Sequence, residues 1–329
     1  MVVWNVSSTD LATPGGRPSL DELRSLIARL AARPGAVEGV MVSSVEEPGP
    51  PSSTVAEPVL AVVAQGAKRL TLGDRVHDYG AGQYLVVSVG LPVTGHYTRA
   101  TRERPFLGFG LTLRPAAVAS LLLEAGAAAP GDDGGPPGGG RGGGRATAPP
   151  GIVVGDASDD LLDAVVRMVR LLARPADVPV LAPMIEREIL WRLLTGPKGG
   201  LVRQIGLADS RLSHIGRAIR ALRDRFAEPV RVEELARMSG MSASAFHRHF
   251  RAVTAMTPIQ YQKDIRLQEA RLLLLAGPRD VASAGYAVGY DSASQFNREY
   301  RRRFGVPPGR DAVRLRERAQ GAAAGGGPL

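Results

Sequence analysis

The stretch SASAFHRHFR occupies residues 242–251, and SASQFNREYR occupies residues 292–301. Six of the ten positions are identical, and Phe250 is exchanged for Tyr300. The offset of 50 residues persists, since Pro258 follows Phe250 by eight residues and Pro308 follows Tyr300 by eight. A repeat near this length first suggests a solenoid. Two copies confined to the C-terminal end indicate instead a duplicated small module. Gly240 and Gly289 precede the copies, each followed by an apolar residue, Met241 or Tyr290.

Each copy has helical periodicity with two faces. Phe246, Phe250 and Val253 recur at i, i+4 and i+7 and predict a core-facing stripe, as do Phe296 and Tyr300. Ser244, His247, Arg248 and Arg251 form the outer row of the first copy; Ser294, Asn297, Arg298 and Arg301 form that of the second. Ser292, with Gln295 three residues on, has capping-box spacing. Upstream, residues 232–238 (VEELARM) read as a short helix that ends in the turn Ser239-Gly240-Met241. Ala236 is small where two helices must cross, and Gly240 suits the left-handed backbone of a tight turn. Residues 280–288 and the turn Gly289-Tyr290-Asp291 repeat this layout. In a helix-turn-helix the second helix can enter a DNA major groove. The outer rows carry suitable chemistry. Arg forks onto guanine or phosphate, Asn and Gln onto adenine, and Ser and helix N-terminal N–H groups onto phosphate. One copy alone reads equally well as a helical pair with an ordinary charged surface. Two basic copies at equal spacing favour DNA.

From about Ser210 to Arg316 the chain resembles the DNA-binding domain of the AraC/XylS-type transcription regulators. The stretches LARMSGMSASAFHRHFRAVTAMTPIQYQ and VGYDSASQFNREYRRRFGVPP carry the resemblance. It implies two helix-turn-helix modules joined by one helix and reading the same face of a duplex. Matching positions nominate Ser242, Ser244, His247, Arg248 and Arg251, then Ser292, Ser294, Gln295, Asn297, Arg298 and Arg301, as DNA contacts. Ala236, Gly240, Gly289, Phe246, Phe250, Phe296 and Tyr300 become turn and packing positions. One feature departs from the common pattern, and one glycine is unusual for a helix. Asp311-Ala312 stands where the commoner ending has Tyr-Arg, and PPGRDAVRLR resembles a subgroup of the family instead. Gly285 falls in mid-helix, where Gly costs about 1 kcal/mol relative to Ala.

Charge follows the repeat. Residues 209–329 hold 21 Lys+Arg and 12 Asp+Glu, whereas residues 1–208 hold 20 of each. A basic domain attached to a neutral one is an electrostatic footprint of nucleic-acid binding. A membrane-surface helix would set exposed aromatic or Leu side chains opposite its charge, and here the aromatics fall on the inner faces. The chain has no cysteine, which excludes a disulfide framework and a thiolate zinc site. Neither a signal-peptide pattern nor an apolar run of about 18 residues is visible, so a cytoplasmic protein with no membrane partner is expected.

The N-terminal half has a different texture. Residues 21–32 predict a helix capped by Ser19 and stopped by Pro34-Gly35, and residues 46–53 a loop. Strands are predicted at 59–64, 68–72, 76–79, 84–89, 94–100 and 106–113, with Gly turns between several of them. The stretch EPVLAVVAQGAKRLTLGDRVHDYGAGQYLVVSVGLPVTG resembles the N-terminal effector domain of the same regulator subgroup. That resemblance implies a cupin-like β-barrel that binds a small molecule. Helices are predicted at 115–125, 158–173, 183–195 (with Pro183 in the first turn), 210–226 and from Pro258 or Ile259 to Ala276, the last ended by Gly277-Pro278. Residues 126–150 are Gly-rich but lack the G-K-[ST] of a phosphate loop, so they read as a flexible, dispensable insert.

Catalysis finds little support. Metal-dependent cupins gather several His and a Glu, and this β region has only His77 and His96. His247 and His249 point about 200° apart on a helix and cannot share a metal as an i, i+4 pair can. Glu186 and Glu188 are two apart on a helix and are not a paired acid and base.

The expected fold is α+β. Its parts are a disordered N-terminus at 1–18, a cupin-like effector domain with flanking helices at 19–126, and an insert at 127–150. A helical linker or dimerisation region at 151–204 follows, then an all-α double helix-turn-helix domain at 205–318 and a disordered tail at 319–329. The expected function is sequence-specific transcription regulation, without cofactor, metal or catalysis. Expected partners are double-stranded DNA, a small-molecule effector, RNA polymerase and a second copy of the chain. The competing reading is a small-molecule-binding or catalytic cupin with a basic helical appendage.

Overall fold

A computed structural model describes residues 17–31, 37–128, 150–207, 210–276 and 280–324. Helix α1 (Pro18–Leu30) is followed by β1 (Val40–Val45), β2 (Ser52–Ala56), β3 (Val59–Gln65), β4 (Ala67–Leu72), β5 (Arg75–Gly80), β6 (Gln83–Val87), β7 (Leu91–Arg99) and β8 (Phe106–Thr112). After α2 (Pro115–Ala128) a ninth strand, β9 (Ile152–Asp156), precedes α3 (Asp159–Leu171), α4 (Val178–Thr195) and α5 (Gly199–Gly206). The remaining helices are α6 (Arg211–Asp224), α7 (Val232–Met238), α8 (Ala243–Thr254), α9 (Pro258–Ala276), α10 (Val281–Ala287), α11 (Ala293–Phe304) and α12 (Pro308–Ala324).

All the strand pairings are antiparallel. One sheet has the order β1-β8-β3-β6-β9 and the other β2-β7-β4-β5. The two sheets face each other as a barrel-like sandwich. Period-2 alternation gives each sheet two faces. Leu60, Val62, Phe109 and Leu111 share the outer face of the larger sheet, and α1 lies across β1, β3 and β8 to bury them. Phe106, Gly108 and Gly110 share its inner face, and the Phe106 ring meets Tyr97 of the smaller sheet at 4.7 Å.

Several sequence expectations change. Strands β1, β2 and β9 were not foreseen: Ser52 and Ser53 belong to a strand, and residues 152–156 open a region expected to be wholly helical. Each of these three strands lies at a sheet edge, on β8, β7 and β6 respectively. Such short, mixed segments are decided by the partner strand and not by propensity. Residues 199–206, unassigned from sequence, form α5. Ser19 does not cap α1; the helix starts at Pro18 after Arg17, and the Ser19 hydroxyl bonds the Asp163 carboxylate on α3 instead. Helix α4 begins at Val178, so Pro183 lies inside it and Pro179 takes the first-turn place. Residues 319–324 continue α12 where a disordered tail was expected, consistent with the high helix propensity of the alanines there. The expectations for residues 1–16, Pro34-Gly35, the insert at 129–149, Gly277-Pro278 and residues 325–329 lie outside the described residues.

Buried side chains form two cores. A continuous one runs from Leu20 through both sheets, the linker helices and α6 to α8, and ends at Ile265 on α9. A smaller one, from Leu267 to Ala312, holds α10, α11 and α12 against the second half of α9. The first helix-turn-helix is therefore packed as part of the β domain's own core, and the second is a satellite.

Candidate nucleic-acid interface

The two modules are built alike. Ser242 accepts a hydrogen bond from Ala245 N and Ser292 one from Gln295 N, both at 3.4 Å, so each copy starts with an N-cap. The reverse half of the capping box is not made, because Gln295 Nε2 donates to Glu299 Oε1 at 3.2 Å. Phe246, Phe250, Phe296 and Tyr300 are fully buried, as the apolar stripe predicts. Gly240 and Gly289 have φ of +63° and +86°, the left-handed turns expected.

Gly285 has a clear packing reason. Met241 N donates to Ala236 O at 2.9 Å, and Tyr290 N donates to Gly285 O at 3.1 Å, so Gly285 is the counterpart of Ala236. A Cβ on Gly285 would lie 2.9 Å from the Phe296 ring. The crossing of α10 and α11 is too close for even alanine without a shift. Asp311, also unusual in sequence, is 4 % exposed. It accepts from Arg271 Nε at 2.8 Å and from the Tyr300 hydroxyl at 2.8 Å. The exchange of Phe250 for Tyr300 thus gains a hydroxyl that ties α11 to α12. Burial, followed by the hydrogen bond to Asp311, pushes the Tyr300 hydroxyl far above its ordinary pKa.

Most outer-row side chains reach solvent. Ser244, His247 and Arg251 are exposed on α8; Ser294, Asn297, Arg298 and Arg301 are exposed on α11. Ser242 and Ser292 are exposed as well, each serving as its helix cap. Two positions depart from the simple picture. Arg248 is half-buried, with Nε enclosed and without a hydrogen-bond partner. Gln295 is half-buried and engaged by Glu299. Asn297 Nδ2 donates to Ala293 O at 2.9 Å, a bond it can exchange for a base edge because it is exposed.

Sequence reasoning passed over Arg302 and Arg303, although the run Arg301-Arg302-Arg303 was the available signal. Arg302 is exposed beside Arg298 and Arg301. Arg303 turns inward, pairs with Asp264 of α9 at 2.6 Å, and donates to Thr94 Oγ1 of β7 at 3.1 Å. Burial outweighs the attraction of Arg303 and holds the Asp264 carboxyl above its ordinary pKa. Nearby, Glu299 accepts from Lys263, Tyr290 and Gln295. Burial alone would raise Glu299, but these bonds hold it below the ordinary range.

The β domain reaches both modules. Gly151 N donates to Val253 O at 3.0 Å and Arg75 Nη1 to Ala252 O at 2.8 Å, so the end of α8 is pinned to the sandwich. The Tyr261 hydroxyl on α9 donates to Gly90 O at 2.9 Å. Arg251 and Arg302 stand at the rim of a cleft of about 510 Å³ between β4, β7, α9 and α11. His77 and His96 do not meet: Leu70↔His77 and Arg69↔His96 put them on opposite faces of the same sheet. No group of three or more His, Asp or Glu side chains able to hold a metal occurs among the described residues.

Residues 36–201 match the family model described as AraC-type transcriptional regulator N-terminus, and residues 235–312 match a helix-turn-helix domain model. The chain is 33 % identical over 139 residues to the HTH-type transcriptional activator RhaS of Escherichia fergusonii, covering 40 % of this chain and 49 % of that protein. RhaS of Salmonella paratyphi B is 29 % identical over 163 residues, covering 47 % of this chain and 58 % of that protein. The chain thus spans about half the length of these curated relatives. Among solved structures, ToxT from Vibrio cholerae O395 bound to (E)-4-(8-methylnaphthalen-1-yl)but-3-enoic acid aligns with a TM-score of 0.52 at 9 % identity, over 84 % of this chain and 98 % of that one. Wild-type ToxT from Vibrio cholerae strain SCE256, bound to unsaturated fatty acid, aligns with a TM-score of 0.50 at 9 % identity, over 83 % and 93 %. At such identity the likeness speaks for the fold.

Proposed function

The chain belongs to the AraC-type transcriptional regulators, and from that premise we propose that it binds a promoter sequence through α8 and α11 and is tuned by a small molecule held in the β domain. The observation that carries this reading is the repeated module: two capped helices with buried aromatic stripes and solvent-facing rows of Ser, His, Asn and Arg. The two helices enter successive major-groove segments about 34 Å apart. Arg298, Arg301 and Arg302 supply phosphate affinity or guanine readout, and Asn297 suits adenine. The protein acts in the cytoplasm and catalyses no reaction. No helix among the described residues is long and apolar enough to cross a membrane.

Two protein partners complete the reading. RNA polymerase is recruited or blocked at the bound promoter. A second copy docks through α4, where Val180, Met184 and Trp191 are exposed at i, i+4 and i+11 on one helix face.

Fluorescence anisotropy of the full chain on DNA from its own promoter region, against shuffled DNA at two salt concentrations, tests the main claim. A preference of about 10³-fold or more for the native fragment is expected. Equal binding that collapses with salt would reduce the helical domain to a non-specific basic surface.

A further inference from the structure

Another cleft, of about 950 Å³, opens at the end of the sandwich where the β3–β4 turn, the β5–β6 turn and the β7–β8 loop meet α1. The register skips Ala64 on β3 and Thr98 on β7 at this same end, and bulges of this kind re-aim side chains beside sites. The backbone around the cleft is held in place. Gly66, with φ of +82°, lies so close to β7 that an added Cβ would collide with Arg99 O. Gln65 Nε2 donates to Pro105 O at 2.9 Å. The β7–β8 loop is closed by Thr101 N donating to Arg104 O at 3.0 Å and by Arg104 N donating to Thr101 Oγ1 at 3.1 Å.

Four arginines and one carboxylate line this cleft. Arg69 is held by that carboxylate, Asp78, through hydrogen bonds of 2.7 and 2.9 Å, and Arg24 by Asp21 at 2.9 Å. Arg99 and Arg104 are exposed and have no ion-pair partner among the described residues. The acids beside the loop are engaged away from the cleft wall. Glu47 pairs with Arg102 at 3.2 Å, and Glu103 accepts from the Thr101 hydroxyl and from its own backbone N–H. Two exposed arginines are ordinary on an open surface; these two share the wall of one cleft with a fixed loop between them. The rest of the wall is small or polar. No Leu, Ile, Val, Met, Phe or Trp lines it, and its single aromatic residue, Tyr79, is only 5 % exposed.

We propose that this cleft binds a phosphate monoester of a polyhydroxy compound, of the sugar-phosphate class, with the phosphate on Arg99 and Arg104 and the hydroxyls on Gln65, Thr98 and Thr101. Two guanidiniums match a dianion, and their planar forks fit phosphate oxygens in pairs. The wall lacks the aliphatic surface that an apolar body needs, and it lacks the open aromatic ring on which a nucleobase stacks. The inference rests on the reading of the β domain as an effector domain and supplies the chemistry of its ligand.

Calorimetric titration of the full chain with glucose 6-phosphate and ribose 5-phosphate, each against its free sugar and against inorganic phosphate, provides the test. At least one sugar phosphate binds about tenfold or more tighter than its sugar and than inorganic phosphate, the worth of one charge-assisted hydrogen bond or more. Arg99→Gln and Arg104→Gln each weaken that binding about tenfold or more. Both side chains are exposed, so the Tm of either variant stays that of the parent. Arg102→Gln removes the same charge from the same loop but outside the cleft, and it leaves the affinity unchanged. Binding of neither sugar phosphate, equal binding of inorganic phosphate, full affinity in Arg99→Gln and Arg104→Gln, or an equal loss in Arg102→Gln would overturn the proposal. Full affinity in the two cleft variants would place the phosphate on the basic helical domain instead. Promoter binding by the parent chain separates the two readings. A chain that prefers its promoter but takes no sugar phosphate refutes only the ligand assignment. A chain that takes sugar phosphate through Arg99 and Arg104 but has no DNA preference refutes only the regulator reading.

Discussion

At the scale of single residues, neighbours of one type take different tasks. Arg301 and Arg302 are exposed, whereas Arg303 is inward on Asp264 and Thr94. The helix rotates each successive side chain by about 100°, so one run of three arginines serves both solvent and core. Arg298 is exposed, and its replacement separates DNA contact from folding. Arg298→Ala weakens binding to the preferred DNA by about 1–3 kcal/mol and leaves Tm unchanged; equal weakening on shuffled DNA would assign it to phosphate alone. Asp311 is the opposite case. Asp311→Ala strands Arg271, whose side chain is 20 % exposed, and costs about 3–5 kcal/mol in urea unfolding. Two histidines make stability depend on pH. Burial first, then Arg248 and Arg211, lowers the His249 pKa, and burial first, then Arg75, lowers that of His77. Both remain neutral in the fold while the unfolded chain takes up protons, so stability falls as pH drops through about 6.5 toward the lowered values. Asp264, held above its ordinary value, acts in the opposite sense at lower pH. Thermal melts between pH 7.5 and 5.5 should show the decline, and His249→Gln should flatten it.

At the scale of elements, the two modules share a pattern but not an environment. Gly240 and Gly289 open equivalent turns. A Cβ on Gly240 would come no nearer than 3.8 Å to His214, whereas on Gly289 it would sit 2.1 Å from Ala227 O. Gly240→Ala therefore costs about 1–2 kcal/mol, the left-handed backbone penalty alone. Gly289→Ala costs distinctly more, because backbone must move, and paired denaturant curves on the two variants measure the difference. The sequence made these glycines equivalent. Only the chain at Ala227, brought against the second turn by hydrogen bonds from Arg266 to Phe226 O and Gly289 O, tells them apart.

Across the whole molecule, the break between the cores falls within α9, between Ile265 and Leu267. The first module shares buried surface with the sandwich, while the second relies on a core of its own and on Arg303 to meet β7. Local opening follows the least buried apolar contact. Amide exchange in α10 and α11 is therefore expected to be faster than in α8, and equal protection would contradict the two-core division. Strand β7 connects the halves of the molecule: Thr94 faces Arg303, and its neighbour Gly95 faces the Lys68 side chain.

The sequence by itself determined the duplicated helix-turn-helix, its capped and buried positions, the basic C-terminal domain and the β texture of the N-terminal half. These are local or periodic signals, written in spacings of two to eight residues and in a repeat of 50. Edge strands β1, β2 and β9 stayed hidden because their pairing partners, not their own residues, make them strands. The need for Gly285, the anchoring by Asp311 and the inward turn of Arg303 were likewise decided by tertiary structure alone. Each depends on an atom brought close by folding from an element that the linear pattern does not connect to it.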